Sequence, residues 1–224
     1  MNPEHDDAHA ALDTLQRSAS VATVGGFRPP DDPLKSWIVR GCLLPEEGLP
    51  LWQGTELFPL LQVRIDELPV VPPSLREVAM LVVYMNRSTI PFDKPHGEGW
   101  LVREYPTLDR LISQPVSDVP FRPFPLSWRV VDDMPGWEDA DELLRGEPAE
   151  NGGITRDMSN YDFYPHNGIK FGGYPVPLQH SAGVKDFVFQ IDSDAKSGWN
   201  WAGDGVAYFH RTNDNGWRFS CQMT

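Results

Sequence analysis

The sequence predicts an α+β, β-rich protein built mostly from antiparallel sheets, with two halves related by a degenerate duplication and packed as one unit. Three observations carry this reading. Twenty-two prolines and 19 glycines among 224 residues exceed what a helical bundle tolerates, because proline removes a backbone donor and glycine raises the entropic cost of ordering. Apolar runs of strand length recur between turn residues along the chain. Leu60-Leu61-Gln62-Val63 and Val188-Phe189-Gln190-Ile191 share one pattern, and each precedes a second apolar run that ends near an aromatic, Tyr84 or Tyr208.

Taken in order, Asp6 to Arg17 spaces Ala8, Leu12 and Leu15 as a short amphipathic helix does, with acidic residues early and Arg17 late. Gly25, Gly26, Pro29, Pro30 and Pro33 interrupt regular structure before Trp37, Ile38 and Val39 resume an extended pattern. Phe58 to Asp66 alternates over its second half and reads as a strand with Leu61, Val63 and Ile65 inward. Val78 to Tyr84 is continuously apolar, as a central strand buried on both faces would be. Pro91 to Trp137 has no dominant period, and the one element it suggests is a short helix around Leu108 to Ile112. Asp132 to Glu147 holds seven acidic residues against Arg145 alone, with Leu143 and Leu144 as anchors. That pattern predicts a helix with a highly acidic exposed face. Gly146 and Pro148 stop it, and Asn151, Gly152 and Gly153 complete a linker signal that divides the chain into residues 1–150 and 151–224. In the second part Ile169 to Gln179 is a Gly-Pro turn segment, and Phe187 to Asp192 and Val206 to His210 are strands.

A net charge of -13 and a pI near 4.8 argue against nucleic acid, whose phosphates demand clustered Lys and Arg, and favour a basic protein partner. The longest apolar run, Val78 to Met85, is too short to cross a bilayer as a helix, so no membrane partner is expected. Met1 to Ala11 carries Glu4, Asp6 and Asp7 with no basic region and no apolar stretch behind it, which points to a cytoplasmic protein. Cys42 and Cys221 lie outside any C-x-x-C spacing and read as reduced, packed thiols.

Signatures of catalysis are missing: there is no G-x-S-x-G elbow and no H-E-x-x-H helix, and Ser193-Asp194-Ala195-Lys196 meets S-x-x-K trivially. Among six histidines only His5 and His9 stand four apart. No catalytic residue, cofactor or metal is therefore expected. Gln62 and Gln190 sit inside apolar strands, where an amide must be hydrogen-bonded, and predict a structural network. Asp192, Asp194 and Asp204 are the carboxylates that could converge on a cation, although the glycine and terminal Glu of a calcium loop are missing.

Lys170-Phe171-Gly172-Gly173-Tyr174-Pro175, Leu178-Gln179, Phe187 to Asp194 and Trp201 to Phe209 form an ordered series. The series resembles the YwqG-like family of bacterial proteins of unassigned function. An N-terminal counterpart is Arg40-Gly41-Cys42-Leu43-Leu44-Pro45 with Leu60-Leu61-Gln62-Val63, where Cys42 stands in place of the second glycine. The match covers Lys170 to Phe209 specifically, the first half loosely, and Pro91 to Gly153 hardly at all. The resemblance implies a mostly antiparallel, β-rich α+β architecture and carries over no catalytic residues. It also implies association with bacterial toxin systems, beside which such proteins occur.

Trp137 lies among Asp132, Asp133, Glu138, Asp139, Asp141 and Glu142, an aromatic anchor inside concentrated negative charge. Such a patch steers a basic partner and can occupy a cationic site. These seven residues are the candidate partner-binding set of an immunity (antitoxin) protein that neutralises a basic toxin by occlusion. The alternative from another class is a small-ligand or metal-binding sensor or enzyme, with a pocket between the two halves near Asp192, Asp194 and Asp204.

Overall fold

A computed structural model describes residues 12–116, 119–145 and 164–224. The linker around residue 150, and with it the division of the chain there, lies outside the described residues, as does the predicted N-terminal helix up to residue 11. In chain order the strands are β1 (Arg17–Val24), β2 (Trp37–Ile38), β3 (Gly41–Leu43), β4 (Leu51–Trp52), β5 (Thr55–Glu56), β6 (Phe58–Arg64), β7 (Met80–Met85), β8 (Trp100–Tyr105), β9 (Ile112–Gln114) and β10 (Phe124–Asp133). Helix α1 (Trp137–Arg145) follows, then β11 (Lys170–Gly172), β12 (Phe187–Asp192), β13 (Val206–Arg211) and β14 (Trp217–Gln222).

The α+β expectation is overturned. One nine-residue α-helix is present among the described residues, against a ten-stranded sheet in which every pairing is antiparallel, so the protein is mostly β. The helix predicted around Leu108 to Ile112 is a turn leading into β9, where Ile112 faces Leu43 across a two-stranded pairing with β3. Pro106, close before it, had already broken the chain.

Ten strands run in the order β14, β13, β12, β11, β1, β10, β2, β6, β7, β8. The order has its centre between β1 and β10, and outward from there each strand has a counterpart: β11 with β2, β12 with β6, β13 with β7, β14 with β8. Registers agree too. Gln62 pairs with Trp37 as Gln190 pairs with Lys170, and each amide nitrogen donates to the carbonyl two residues before that partner, Lys35 at 2.6 Å and Gly168 at 3.4 Å. Two residues after it, Val39 and Gly172 both take positive φ, +58° and +75°. A β-branched residue is strained there, and Val39 is held by full burial and a 2.6 Å bond from its N–H to the Leu60 carbonyl. The two sets meet along β1 and β10, which pair antiparallel from Arg17 to Val24 and join them in one sheet.

The sheet curls so that its two edges approach. Trp100 of β8 lies 5.4 Å from Phe219 of β14, and Glu104 of β8 pairs with Arg211 of β13. Inside the curl, β11, β12 and β13 stack Phe171, Phe189 and Phe209 face to face as cross-strand neighbours, with centroids 4.7 and 4.4 Å apart. Leu61, Val83, Trp100 and Phe219 complete this interior. The opposite faces of the two halves differ. Behind β7, Cys42, Met80, Val82, Tyr84 and Tyr105 form a second apolar cluster. Behind β12 and β13 the buried side chains are polar, Lys170, Gln190, Tyr208, His210 and Gln222, and they decide what the second half can do.

Candidate functional site

β10 carries the chain into the acidic segment, and its last residue, Asp133, is buried. Its Oδ2 accepts from Lys170 Nζ and from the Tyr174 N–H, both at 2.8 Å, and its Oδ1 accepts from the His166 N–H at 2.7 Å. Lys170 is fully buried as well; burial lowers its pKa, and the Asp133 carboxylate opposes that shift. Breaking a buried pair of this kind by removing one partner costs about 3–5 kcal/mol. The backbone must come close to reach Asp133: a Cβ on Gly173 would lie 2.2 Å from Asp133 Oδ2, and Gly173 has φ +66°. That is the physical reason for the second glycine of the Lys-Phe-Gly-Gly-Tyr-Pro motif.

After Met134, Pro135 and Gly136, α1 begins with Trp137. The seven predicted contact residues separate into two sets. Asp133, Asp139 and Asp141 are buried, whereas Asp132, Glu138 and Glu142 are exposed and Trp137 keeps 50% of its surface. The helix is therefore not acidic on its exposed side alone, as its composition suggested. Asp139 Oδ1 accepts from the Ser181 hydroxyl, while the Ser181 N–H donates to Glu138 at 3.3 Å. Burial raises the Asp139 pKa; the Ser181 bond opposes the shift, and Glu142 and Glu138 add to it. On the exposed side Glu138 and Glu142 stand four residues apart, a like-charge pair that costs a helix about 0.2–0.5 kcal/mol.

Between β11 and β12 a strap of chain, residues 173–184, lies over the polar face of the second half. Gln190 Oε1 accepts from the Val176 N–H at 3.0 Å, and the Tyr208 hydroxyl donates to the Val176 carbonyl at 2.5 Å. Gln222 Oε1 accepts from the N–H groups of Leu178 and Gln179 at 2.9 and 3.0 Å, and its Nε2 donates to the His180 carbonyl. His210 Nε2 sits 2.8 Å from the Gly183 carbonyl, with burial lowering its pKa, so a neutral ring donates there. The amide expected at Gln190 to be hydrogen-bonded is so. Gln222, which does as much, stands in a stretch with no distinguishing pattern, and sequence reasoning missed it.

Asp192, Asp194 and Asp204 serve separate turns. Asp192 accepts from the Gly168 N–H at 2.6 Å and from Gln190 Nε2 at 2.8 Å, and burial raises it to about 6. Asp194 Oδ1 accepts from the Ser197 N–H at 2.6 Å, closing a turn, and Asp204 from Asn200 Nδ2 at 3.2 Å. Among the described residues no group of three or more His, Cys, Asp or Glu side chains is arranged to hold a metal ion. Cys42 is buried in the second apolar cluster, and burial pushes its thiol up to about 12.

Residues 43–215 match the family described as a domain of unknown function (DUF1963). The chain belongs to the DUF1963 family. The DUF1963 match takes in α1, Asp133, Lys170, Gln190 and the whole strap, while β1, β2 and β14, which complete the sheet, lie outside it. No curated protein matches the chain. No helix among the described residues is long and apolar enough to cross a membrane.

Proposed function

We propose that this DUF1963 chain is a non-catalytic, protein-binding protein of the immunity (antitoxin) type, acting in the cytoplasm by occluding a basic toxin. The observation that carries the reading is the exposed side of α1, where a half-exposed tryptophan stands beside two exposed glutamates, with Asp132 exposed at the end of β10. An exposed indole beside uncompensated carboxylates suits a partner's lysine or arginine, which gains from the ring face and from the charge together. The helix that presents it is fixed from behind by Ala140 packed on Leu12 and by the Ser181 bond, so the surface is pre-organised. The YwqG-like resemblance supports the same role, since such proteins occur beside toxin systems. The buried members of the segment, Asp133, Asp139 and Asp141, support the shape of this surface rather than contact the partner.

Co-expression with the product of the adjacent reading frame, followed by pull-down and a growth assay, tests the proposal. The native chain forms a complex and protects the cell. Trp137→Ala combined with Glu138→Gln and Glu142→Gln weakens binding roughly a hundredfold, as loss of an aromatic anchor with its charges does. A chain that neither binds nor protects ends the toxin reading.

A further inference from the structure

Near the centre of the sheet an open cleft of about 630 Å³ lies between the segment after β1, the turn after β6 and the middle of β10. Its volume is in the range that accepts a small organic ligand. Most of its charged groups are already answered. Lys35 closes on Glu67 at 3.0 Å, and Arg64 holds Asp66 at 2.8 Å. Arg28 is the exception: it is exposed and makes no ion pair or hydrogen bond with any described residue.

The wall beside it is aromatic. Phe27 keeps 40% of its surface exposed. Trp128 is partly buried and held edge-on to Phe171 at 5.5 Å, which fixes its ring on the rigid β10, and Leu126 lies beneath on the same strand face. The chain as a whole carries -13, but over the roughly 8 Å screening length of physiological salt the local guanidinium dominates at contact distance. A cation with no partner among the described residues, at the rim of an aromatic wall, fits a ligand with one planar apolar body and one negative end.

We infer that this cleft binds a small aromatic monocarboxylate, its ring against Phe27 and Trp128 and its carboxylate on Arg28. A planar guanidinium offers the carboxylate two parallel N–H donors. None of the residues lining the cleft belongs to the candidate partner-binding set, so the inference stands or falls independently of the partner-binding proposal.

The test is a titration of the full chain with 3-phenylpropionate, followed through the indole N–H resonance of Trp128, identified by its loss in Trp128→Phe. The neutral amide and the corresponding amine are run alongside. The carboxylate gives saturable shifts with a dissociation constant on the order of 1 mM, and the amide and amine bind at least roughly tenfold more weakly. Arg28→Gln weakens the carboxylate by a similar factor, and Phe27→Ala weakens all ring-bearing probes; both residues are exposed, so both variants fold. Absence of saturable shifts up to about 10 mM, equal binding of the neutral amide, or unchanged affinity in Arg28→Gln overturns the inference.

Discussion

Asp192 shows how a single buried group sets a dependence on pH. Two donors favour its charged form, yet burial outweighs them and holds the carboxyl at about 6, above the roughly 3.9 of an unfolded aspartate. Because the folded value is raised, the folded state binds the proton more tightly. The resulting stability is fully present below about pH 4 and is lost as pH rises through 6, about 3 kcal/mol for a shift of this size. Asp192→Asn cannot titrate. Its unfolding free energy relative to the native chain therefore rises by roughly 2 kcal/mol between about pH 4 and pH 7, whatever the constant offset from the altered hydrogen bonds. Urea unfolding of both proteins across that range checks this, and parallel curves would refute it.

Among the elements, the strap over β12, β13 and β14 is held by the side-chain amides of Gln190 and Gln222 as well as by its buried Tyr174 and Val176. Gln222 alone accepts from two strap N–H groups and donates to one strap carbonyl. Gln222→Ala leaves those groups unanswered at about 1–3 kcal/mol each where they stay buried. The strap relieves this by opening locally. Hydrogen exchange at Leu178 and Gln179 accelerates roughly a hundredfold in the variant, while the amides of β12 and β13 change much less. Uniform acceleration across the sheet would show instead that the strap is part of the global unit. Strands such as β7, β12 and β13 were legible in the sequence because they are apolar on most positions. β1 and β10 were not. β1 reads Arg-Ser-Ala-Ser-Val-Ala-Thr-Val, small and polar, and is a strand because it has a neighbour on each side. The acidic segment was legible in its place and charge. That Asp133 is answered by Lys170, 37 residues further on, and Asp139 by Ser181 could not be seen, since no pattern announces a distant partner.

At the level of the whole molecule, one sheet shared between two similar five-strand sets predicts one cooperative transition. Trp100 and Trp217 begin the two edge strands, β8 and β14, and both are buried. Fluorotryptophan signals from the two positions disappear at the same urea concentration, because the sets are joined along the full length of β1 paired with β10 and packed on each other again where the edges meet. Two separate midpoints would mean that the halves are autonomous. The α+β expectation failed at this scale: helical spacing at both ends of the first half was weighed as elements, while the strand count, which decides the class, depended on β1, β8, β10 and β14, segments of mixed polarity.

The placement of β1 reaches into how the protein is made. Its two neighbours, β10 and β11, are translated more than a hundred residues after it, so for most of synthesis this stretch leaves the ribosome with nothing to join. Contacts this remote in sequence make folding slow. The serines and the arginine of β1 suit that interval, keeping a waiting segment soluble until its late-born companions arrive.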